Sequence, residues 1–271
     1  MFGGPISGAL LELPVMLGVK GWQWMFLIEG GITVVVGVFA FFWLVSKPNE
    51  AKWLTNDEKA AVARAFAEES THAKDDQPSS LKATFTNLKV WQFVGVYFAI
   101  QMSVYGVLFY LPTKIASLLG TKVGLEVGLY TSIPWIVTLL ILPIATRYAD
   151  KKHNWHKMAM LMLFLAAAGM ALSTVTSNIF VFMIVISAAI CGFIVVQPLF
   201  WNLPTQFLSG RALAAGTALI GAMGNLGGFV APQMKNGAEQ LFNNAYAGYI
   251  SLSIIGLLGV VLLAILKKPS A

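Results

Sequence analysis

Long apolar runs separated by short polar connections make up most of the sequence. Seven of these runs come close to the length of about 20 residues that a helix needs to cross a bilayer. They cover residues 22–45, 91–112, 124–146, 157–175, 178–201, 211–232 and 245–266. The pattern therefore predicts an all-α fold, a polytopic bundle of transmembrane helices.

Residues 1–17 form a shorter apolar run, which Glu12 interrupts. The run is too short to span a bilayer, and no basic segment precedes it as in a signal peptide. We expect it to be the last part of a span whose beginning lies outside this sequence.

The composition agrees with a membrane protein. Hydrophobic residues make up 57% of the chain and charged residues 11%, whereas about 25% of the residues in soluble domains are charged. The single cysteine, Cys191, allows no disulfide within the chain, and the three histidines lie in polar connections without metal-ligand spacing. A membrane enzyme would need a nucleophile with its base, or metal ligands, inside the spans. The sequence therefore predicts no enzyme, no metal site, and no cofactor beyond a proton gradient as the driving force.

One long polar connection, residues 46–89, divides the chain. Thr55 and Glu58 have the spacing of a helix capping box, and the alanine-rich stretch after them predicts a short surface helix. We expect residues 1–45 to end one bundle, 46–89 to form a cytoplasmic inter-bundle loop, 90–266 to form a six-helix bundle, and 267–271 to be a cytoplasmic tail.

The basic residues predict the orientation of the spans. With 46–89 in the cytoplasm, fourteen of the eighteen Lys and Arg residues fall on that side, and Lys20, Lys114, Lys122 and Lys235 fall on the other. Positive charge is enriched in cytoplasmic loops, so the C-terminus is predicted to be cytoplasmic in a plasma or bacterial inner membrane. The net charge of +6 follows this topology and does not indicate nucleic-acid binding.

Small and polar residues interrupt the later spans. Gly221, Gly224 and Gly228 stand where bulky residues are usual, and small residues let two membrane helices approach closely. Asn225 lies among them, deep in an apolar run. Glu29 is a carboxylate inside the 22–45 span, so it is a functional candidate by default, or alternatively an interfacial residue that holds loop backbone.

A polar face is predicted on the 91–112 span. Tyr97, Gln101 and Tyr105 recur every four residues and so share one side of a helix. Two phenols and an amide could bind the carboxylate or hydroxyl groups of a solute. Hydrogen bonding between helices is an equally open explanation of the same pattern.

Further candidates for solute binding close the 178–201 span. Gln197 and Trp201 lie one turn apart, Asn202 follows directly, and Asn225 is in the next span. Buried amides that lack partners cost about 1–3 kcal/mol each, so these side chains need each other, water or a ligand. Structural pairing and solute binding both meet that need.

A charged group follows the 124–146 span at its cytoplasmic end. Arg147 and Asp150, with Lys151, could pair across a turn or clamp a neighbouring helix. We interpret the group as a candidate conformational latch. A positive-inside anchor is the alternative.

Several short motifs together resemble one transporter family. They are Gly21–Gly30 (GWQWMFLIEG), Lys47-Pro48 with Ala51–Thr55 (AKWLT), Tyr105-Gly106 with Leu111–Thr113, Arg147–Lys151, Phe200–Thr205 (FWNLPT) and Gly224–Phe229 (GNLGGF). On these residues the chain resembles the C-terminal two-thirds of a major facilitator superfamily transporter. Within that superfamily it is most similar to the anion:cation symporter family, whose members carry organic acids such as tartrate, phthalate, 4-hydroxyphenylacetate and sugar acids.

The resemblance implies a carrier of twelve helices in two six-helix bundles that works by alternating access. The chain would run from the end of helix five to helix twelve, and its partners would be a small organic anion, protons, the lipid bilayer and the N-terminal helices of the same carrier. Two positions depart from the family pattern: Gly221 replaces an Asn of many relatives, and Thr146 replaces a loop glycine. A chain with one complete bundle is not expected to transport alone. A sensor or scaffold built on a carrier-like bundle is the alternative, although the short 46–89 loop offers no room for a signalling domain.

Overall fold

The computed structural model describes residues 2–45, 47–71, 81–208, 210–244 and 246–266. The helices in these ranges are α1 (Gly3–Leu11), α2 (Gly21–Trp43), α3 (Asn56–Thr71), α4 (Leu81–Thr86), α5 (Leu88–Leu108), α6 (Leu111–Leu119), α7 (Leu125–Lys151), α8 (Trp155–Leu172), α9 (Ile179–Phe207), α10 (Gly210–Leu241) and α11 (Ala247–Ile265). Seven helical stretches of the described chain are long and apolar enough to span a membrane, with α5 and α6 counted as one. The predicted all-α membrane fold is confirmed.

The chain divides into two compact units, Ala9–Asp76 and Met1–Gly8 with Gln77–Ala271. The first unit contains α2 and the surface helix α3. Thr55 caps α3 as predicted: its backbone N–H donates to Glu58 Oε2 at 2.8 Å, and Glu58 N–H donates to Thr55 Oγ1 at 3.3 Å. The Thr55 hydroxyl also donates to Glu58 Oε2, at 2.9 Å. The bonds to this carboxylate hold the pKa of Glu58 below its ordinary value, first that from the Thr55 backbone and then that from its hydroxyl. Residues 72–80 of the predicted inter-bundle loop and the predicted tail at 267–271 lie outside the described residues.

The second unit is a helix bundle with α5 and α9 at its centre. α5 packs mainly against α10 and α11, whereas α9 packs mainly against α8 and α7. Large apolar side chains of these helices are fully buried between them, among them Phe93, Ile100, Leu163, Met170 and Phe200. The other helices expose one side, as helices at the outside of a membrane bundle do.

Two polar contacts join α8 to α11 within the bundle. Ser253 Oγ donates to the carbonyl of Ala167 at 2.7 Å, and His156 Nε2 lies 2.6 Å from the carbonyl of Leu263. Each contact satisfies a side chain without leaving a polar group unpaired in an apolar environment. They show that the two outer helices are held by specific bonds as well as by packing.

The span predicted over 91–112 is a broken helix. It begins earlier, at Leu88, stops at Leu108, and resumes after Phe109 and Tyr110 as α6. Pro112 has no N–H to give to the carbonyl four residues before it, which explains the interruption. The Tyr110 carbonyl accepts two bonds from the new helix, from the Lys114 N–H at 3.0 Å and from Thr113 Oγ1 at 2.9 Å.

Two further helices run beyond their predicted ends. α9 was predicted to end at 201 but continues through Pro204 to Phe207, and α10 continues nine residues past 232 to Leu241. The length of an apolar run is set by the thickness of the bilayer. A helix can continue beyond the bilayer into the aqueous interface with polar side chains, so the apolar run does not give the end of the helix. The connection between the two helices is thus shorter than the sequence predicts.

Close contact between α5 and α10 depends on several glycines of α10. A Cβ atom at Gly224 would collide with the ring of Tyr97, and one at Gly228 would come within 2.6 Å of the Tyr105 ring. Gly221 differs, because the nearest atom to its Cβ would be in Trp201 at 4.0 Å, an ordinary contact distance. Of the three glycines predicted to allow close packing, Gly221 is therefore not at a close approach.

The two kinds of glycine predict opposite effects of the same substitution. Gly224→Ala should destabilise the bundle by about 1–3 kcal/mol, the usual cost of overpacking a core. Gly221→Ala, the matched control, should be neutral or stabilising by up to about 1 kcal/mol, because alanine is the better helix former. Thermal unfolding of the purified chain in detergent measures both, and equal effects would contradict the close packing at Gly224.

Candidate functional site

Five of the predicted site residues come together where α5, α9 and α10 meet. We call Tyr97, Gln101, Tyr105, Trp201 and Asn225 the central polar cluster. The first three follow one face of α5 at one-turn intervals, while α9 contributes the indole and α10 the second amide. Because the cluster draws on three helices, it depends on the tertiary packing of the bundle.

Tyr97 is fixed by aromatic rings from α9. Its ring stacks on Phe200 with centroids 5.3 Å apart and planes at 14°, and meets Trp201 edge-on at 4.9 Å. Aromatic pairs in these geometries stabilise by about 0.5–1.5 kcal/mol beyond burial. With Gly224 on its other side, the ring has little freedom, so the cluster presents a rigid aromatic wall.

The two amides of the cluster bond across the contact between α5 and α10. Gln101 Nε2 donates to Asn225 Oδ1 at 2.6 Å. Gln101 is only 6% exposed, and its Oε1 is buried with no hydrogen-bond partner in the described structure. Asn225 is exposed, so the amide pair leads from the core of the bundle to its surface.

The cluster is polar but uncharged. Its members are two phenols, two amides and an indole. They contact aromatic rings, glycines and one another. Such groups can hydrogen-bond hydroxyls and cover a carbon skeleton with ring faces. They do not supply the positive charge that a carboxylate needs.

The structure does not bring Gln197 and Asn202 into this cluster. Asn202 is exposed, and its Nδ2 donates to the carbonyl of Pro198, one turn back on the same helix, at 3.0 Å. Gln197 is half-buried on α9, one turn before Trp201. Their part in solute binding stays a prediction.

The charged group at the end of α7 is bonded to the next helix and not paired within itself. Asp150 Oδ1 accepts a hydrogen bond from Trp155 Nε1 at 2.6 Å, which ties the end of α7 to the start of α8. Within the described ranges, Asp150 forms no ion pair with Arg147. Both residues and Lys151 are exposed, and a latch at this point stays a prediction.

Two other predictions concern the carboxylate of Glu29 and the absence of a metal site. Glu29 lies on α2 in the Ala9–Asp76 unit, half-buried, with its carbonyl bonded to Thr33 Oγ1 at 2.8 Å, and its functional role stays a prediction. In the part of the chain that the structure describes, no three His, Cys, Asp or Glu side chains are grouped as metal ligands would be.

Lys235 is the residue that the sequence analysis missed. It was placed in the outer connection, because the apolar run ends near 232, but α10 continues to Leu241 and buries Lys235 to 6% exposure. Its Nζ lies 2.7 Å from Glu239 Oε1, in the one ion pair among the described residues. The spacing of a lysine and a glutamate four residues apart was the available signal.

The amide pair predicts an asymmetry between two substitutions. Asn225→Leu leaves the buried Gln101 amide without its partner and should destabilise the bundle by about 1–3 kcal/mol. Gln101→Met removes the buried amide itself and should cost less, and adding it to Asn225→Leu should restore part of the lost stability. Unfolding of the three variants in detergent tests this, and a double variant no more stable than Asn225→Leu would contradict the pairing.

Comparison with known proteins places the chain in a family. Residues 1–232 match the Major Facilitator Superfamily. The chain is 42% identical to "Inner membrane transport protein RhmT" of Escherichia coli over 265 residues, which are 98% of this chain and 61% of that protein. It is 36% identical to a "Putative tartrate transporter" of Agrobacterium vitis over 236 residues, 86% of this chain and 53% of the other.

A third relative is "Putative metabolite transport protein NicT" of Pseudomonas putida, 34% identical over 254 residues that cover 91% of this chain and 56% of that protein. The chain thus spans between half and two-thirds of the length of these relatives. Their names describe transport proteins, not enzymes. The helical bundle, its spans and the match over most of its length together show that this chain belongs to the Major Facilitator Superfamily.

Proposed function

We propose that the carrier to which this chain contributes is a secondary active transporter of an organic anion, namely a carboxylate, a hydroxy-acid or a sugar acid. The observation that supports the proposal best is the central polar cluster. It joins three helices, it is rigid on its aromatic side, and it reaches the surface of the bundle at Asn225. One relative is named for tartrate, a hydroxylated dicarboxylate.

The chemistry of the cluster suits the uncharged part of such a solute. Hydroxyl groups of a hydroxy-acid can bond to the amides and phenols, and its carbon skeleton can lie against the ring of Trp201. The carboxylate then requires a cation from the other bundle of the carrier, because the members of the cluster carry no charge. A site shared by two bundles can be opened to either side of the membrane in turn.

We take protons as the coupling ion and the proton gradient as the driving force. When a carrier moves protons together with an anion, the net negative charge that crosses the membrane is reduced or reversed. Inward movement is then no longer opposed by the potential, which is worth about 2.3 kcal/mol per charge for each 100 mV. Uptake is therefore the expected direction.

Uptake by cells that produce the carrier tests the proposal. Labelled tartrate, a sugar acid and an aromatic acid should enter, and a neutral polyol of the same size should not. Trp201→Ala and Asn225→Ala should each raise the half-saturation concentration about fivefold to tenfold, the effect of losing about 1–1.4 kcal/mol of binding. An uncoupler should reduce uptake by the unaltered carrier.

Ser187→Ala is the matched control for these variants. Ser187 is buried on α9, the helix that carries Trp201. Its hydroxyl donates to the carbonyl of Met183 in the same helix at 2.6 Å, so its loss should leave the kinetics unchanged. Equal uptake of the polyol would refute an anion carrier, and uptake driven by sodium would refute proton coupling. Unchanged kinetics in both site variants would remove the cluster from the solute path.

We also propose that the carrier lies in the cell membrane with the C-terminus of this chain in the cytoplasm. Lys122 and Lys152 are exposed in connections at opposite ends of α7, and Cys191 is buried. In intact cells a membrane-impermeant thiol reagent should label Lys122→Cys and spare Lys152→Cys until the membrane is opened. The reverse pattern would contradict the proposed orientation.

A further inference from the structure

Lys235 sits in a cage of aromatic rings and one carboxylate. Its Nζ lies 2.7 Å from Glu239 Oε1, 3.8 Å from the centre of the Tyr110 ring and 5.3 Å from the centre of the Tyr249 ring. We call these four residues the Lys235 cage. They come from α10, from α11 and from the break between α5 and α6, so the cage joins three parts of the bundle.

The close packing of α11 against Lys235 and Glu239 requires a small residue on α11. A Cβ atom at Gly248 would meet Glu239 Oε1 at 2.8 Å and also collide with the side chain of Lys235. The ammonium is removed from water, at a cost that only good partners offset. Lys235 lies in the part of α10 that continues past the apolar run, and it is nevertheless buried, with its partners in place.

The cage lies at the point where the first span of the bundle changes neighbours. α5 packs mainly on α10 and α11, whereas α6 packs on α7 and α9. The two parts of the span thus belong to different groups of helices, and the break at Phe109 and Tyr110 lies between those groups. Any movement of one group against the other at this end must be accommodated at the break.

Tyr110 is held against α10 by two contacts. The Lys235 ammonium lies over its ring, and its hydroxyl donates to Asn236 Oδ1 at 3.2 Å. Lys114 of α6 adds a weaker contact, because its Nζ is 5.6 Å from the centre of the Tyr246 ring, just before α11. Charged and polar side chains therefore connect the start of α6 to the other group of helices.

We propose that Lys235 is a positioning residue that holds the two groups of helices together at one end of the bundle. It acts through Tyr110: while the cage is formed, the break is fixed and α6 cannot move away from α10 and α11. Release of the cage lets α6 move with α7 and α9, while the close packing of α5 on α10 stays intact. The proposal goes beyond solute transport, because the cage requires no solute.

By the predicted orientation this end is the outer one, so the cage restrains opening toward the outside of the cell. A cation over an aromatic ring with an ion pair biases such an opening by about tenfold. Differential stability of two arrangements is what a carrier needs to favour one of them at rest. In the proposed transporter, loss of the cage would shift the balance toward outward opening.

Amide hydrogen exchange of the full chain in lipid nanodiscs tests the proposal without any solute. Lys235→Met keeps the length of the side chain and removes its charge. Exchange at residues 106–114, around the break, should become about 3-fold to 30-fold faster, while exchange at 159–167 in α8 should not change. Lys235→Arg keeps a cation over the rings and should restore the original rates.

Two further variants separate the cage from general instability. Tyr110→Leu removes the ring and keeps the ion pair. It should raise the exchange rates at 106–114 as much as Lys235→Met does, and it provides the same test if Lys235→Met folds poorly. Lys114→Met removes only the weaker contact and should have a smaller effect. Unchanged rates at 106–114, or an equal rise at 159–167, would overturn the proposal whether or not the carrier moves organic anions.

Discussion

The close contact between α5 and α10 is the constraint on which the rest of the bundle depends. In a bilayer no hydrophobic force draws two apolar helices together, because lipid tails are as apolar as leucine. Gly224 and Gly228 instead allow the rings of Tyr97 and Tyr105 to lie directly against the α10 backbone. Only at that distance can Gln101 reach Asn225, so the polar cluster follows from the packing.

The sequence was sufficient to predict the class of the fold and most of the cluster. Hydropathy located the spans, because water-free surroundings demand long apolar helices, and the four-residue spacing put Tyr97, Gln101 and Tyr105 on one face. The cap at Thr55 was equally predictable, since it involves only residues close in sequence. These features depend on local periodicity, which is visible in a single chain.

The remaining features depend on contacts between distant residues. The break after Leu108 follows from Pro112, but its significance appears only when α5 and α6 are seen to pack on different helices. The apolar run ends before Lys235, and only the full length of α10 places this residue beside Tyr110 and Tyr249. Asp150 accepts a hydrogen bond from Trp155 because the start of α8 lies next to the end of α7. The spacing between Arg147 and Asp150 could not reveal this contact.

The amide pair also bears on how the bundle is assembled during synthesis. Gln101 and Asn225 are 124 positions apart in the chain, and ribosomes add about 5–20 residues per second. The first amide is therefore synthesised roughly 6–25 s before its mate. During that interval α5 carries an unmatched polar side chain, which favours a sheltered position beside the insertion machinery until α10 arrives.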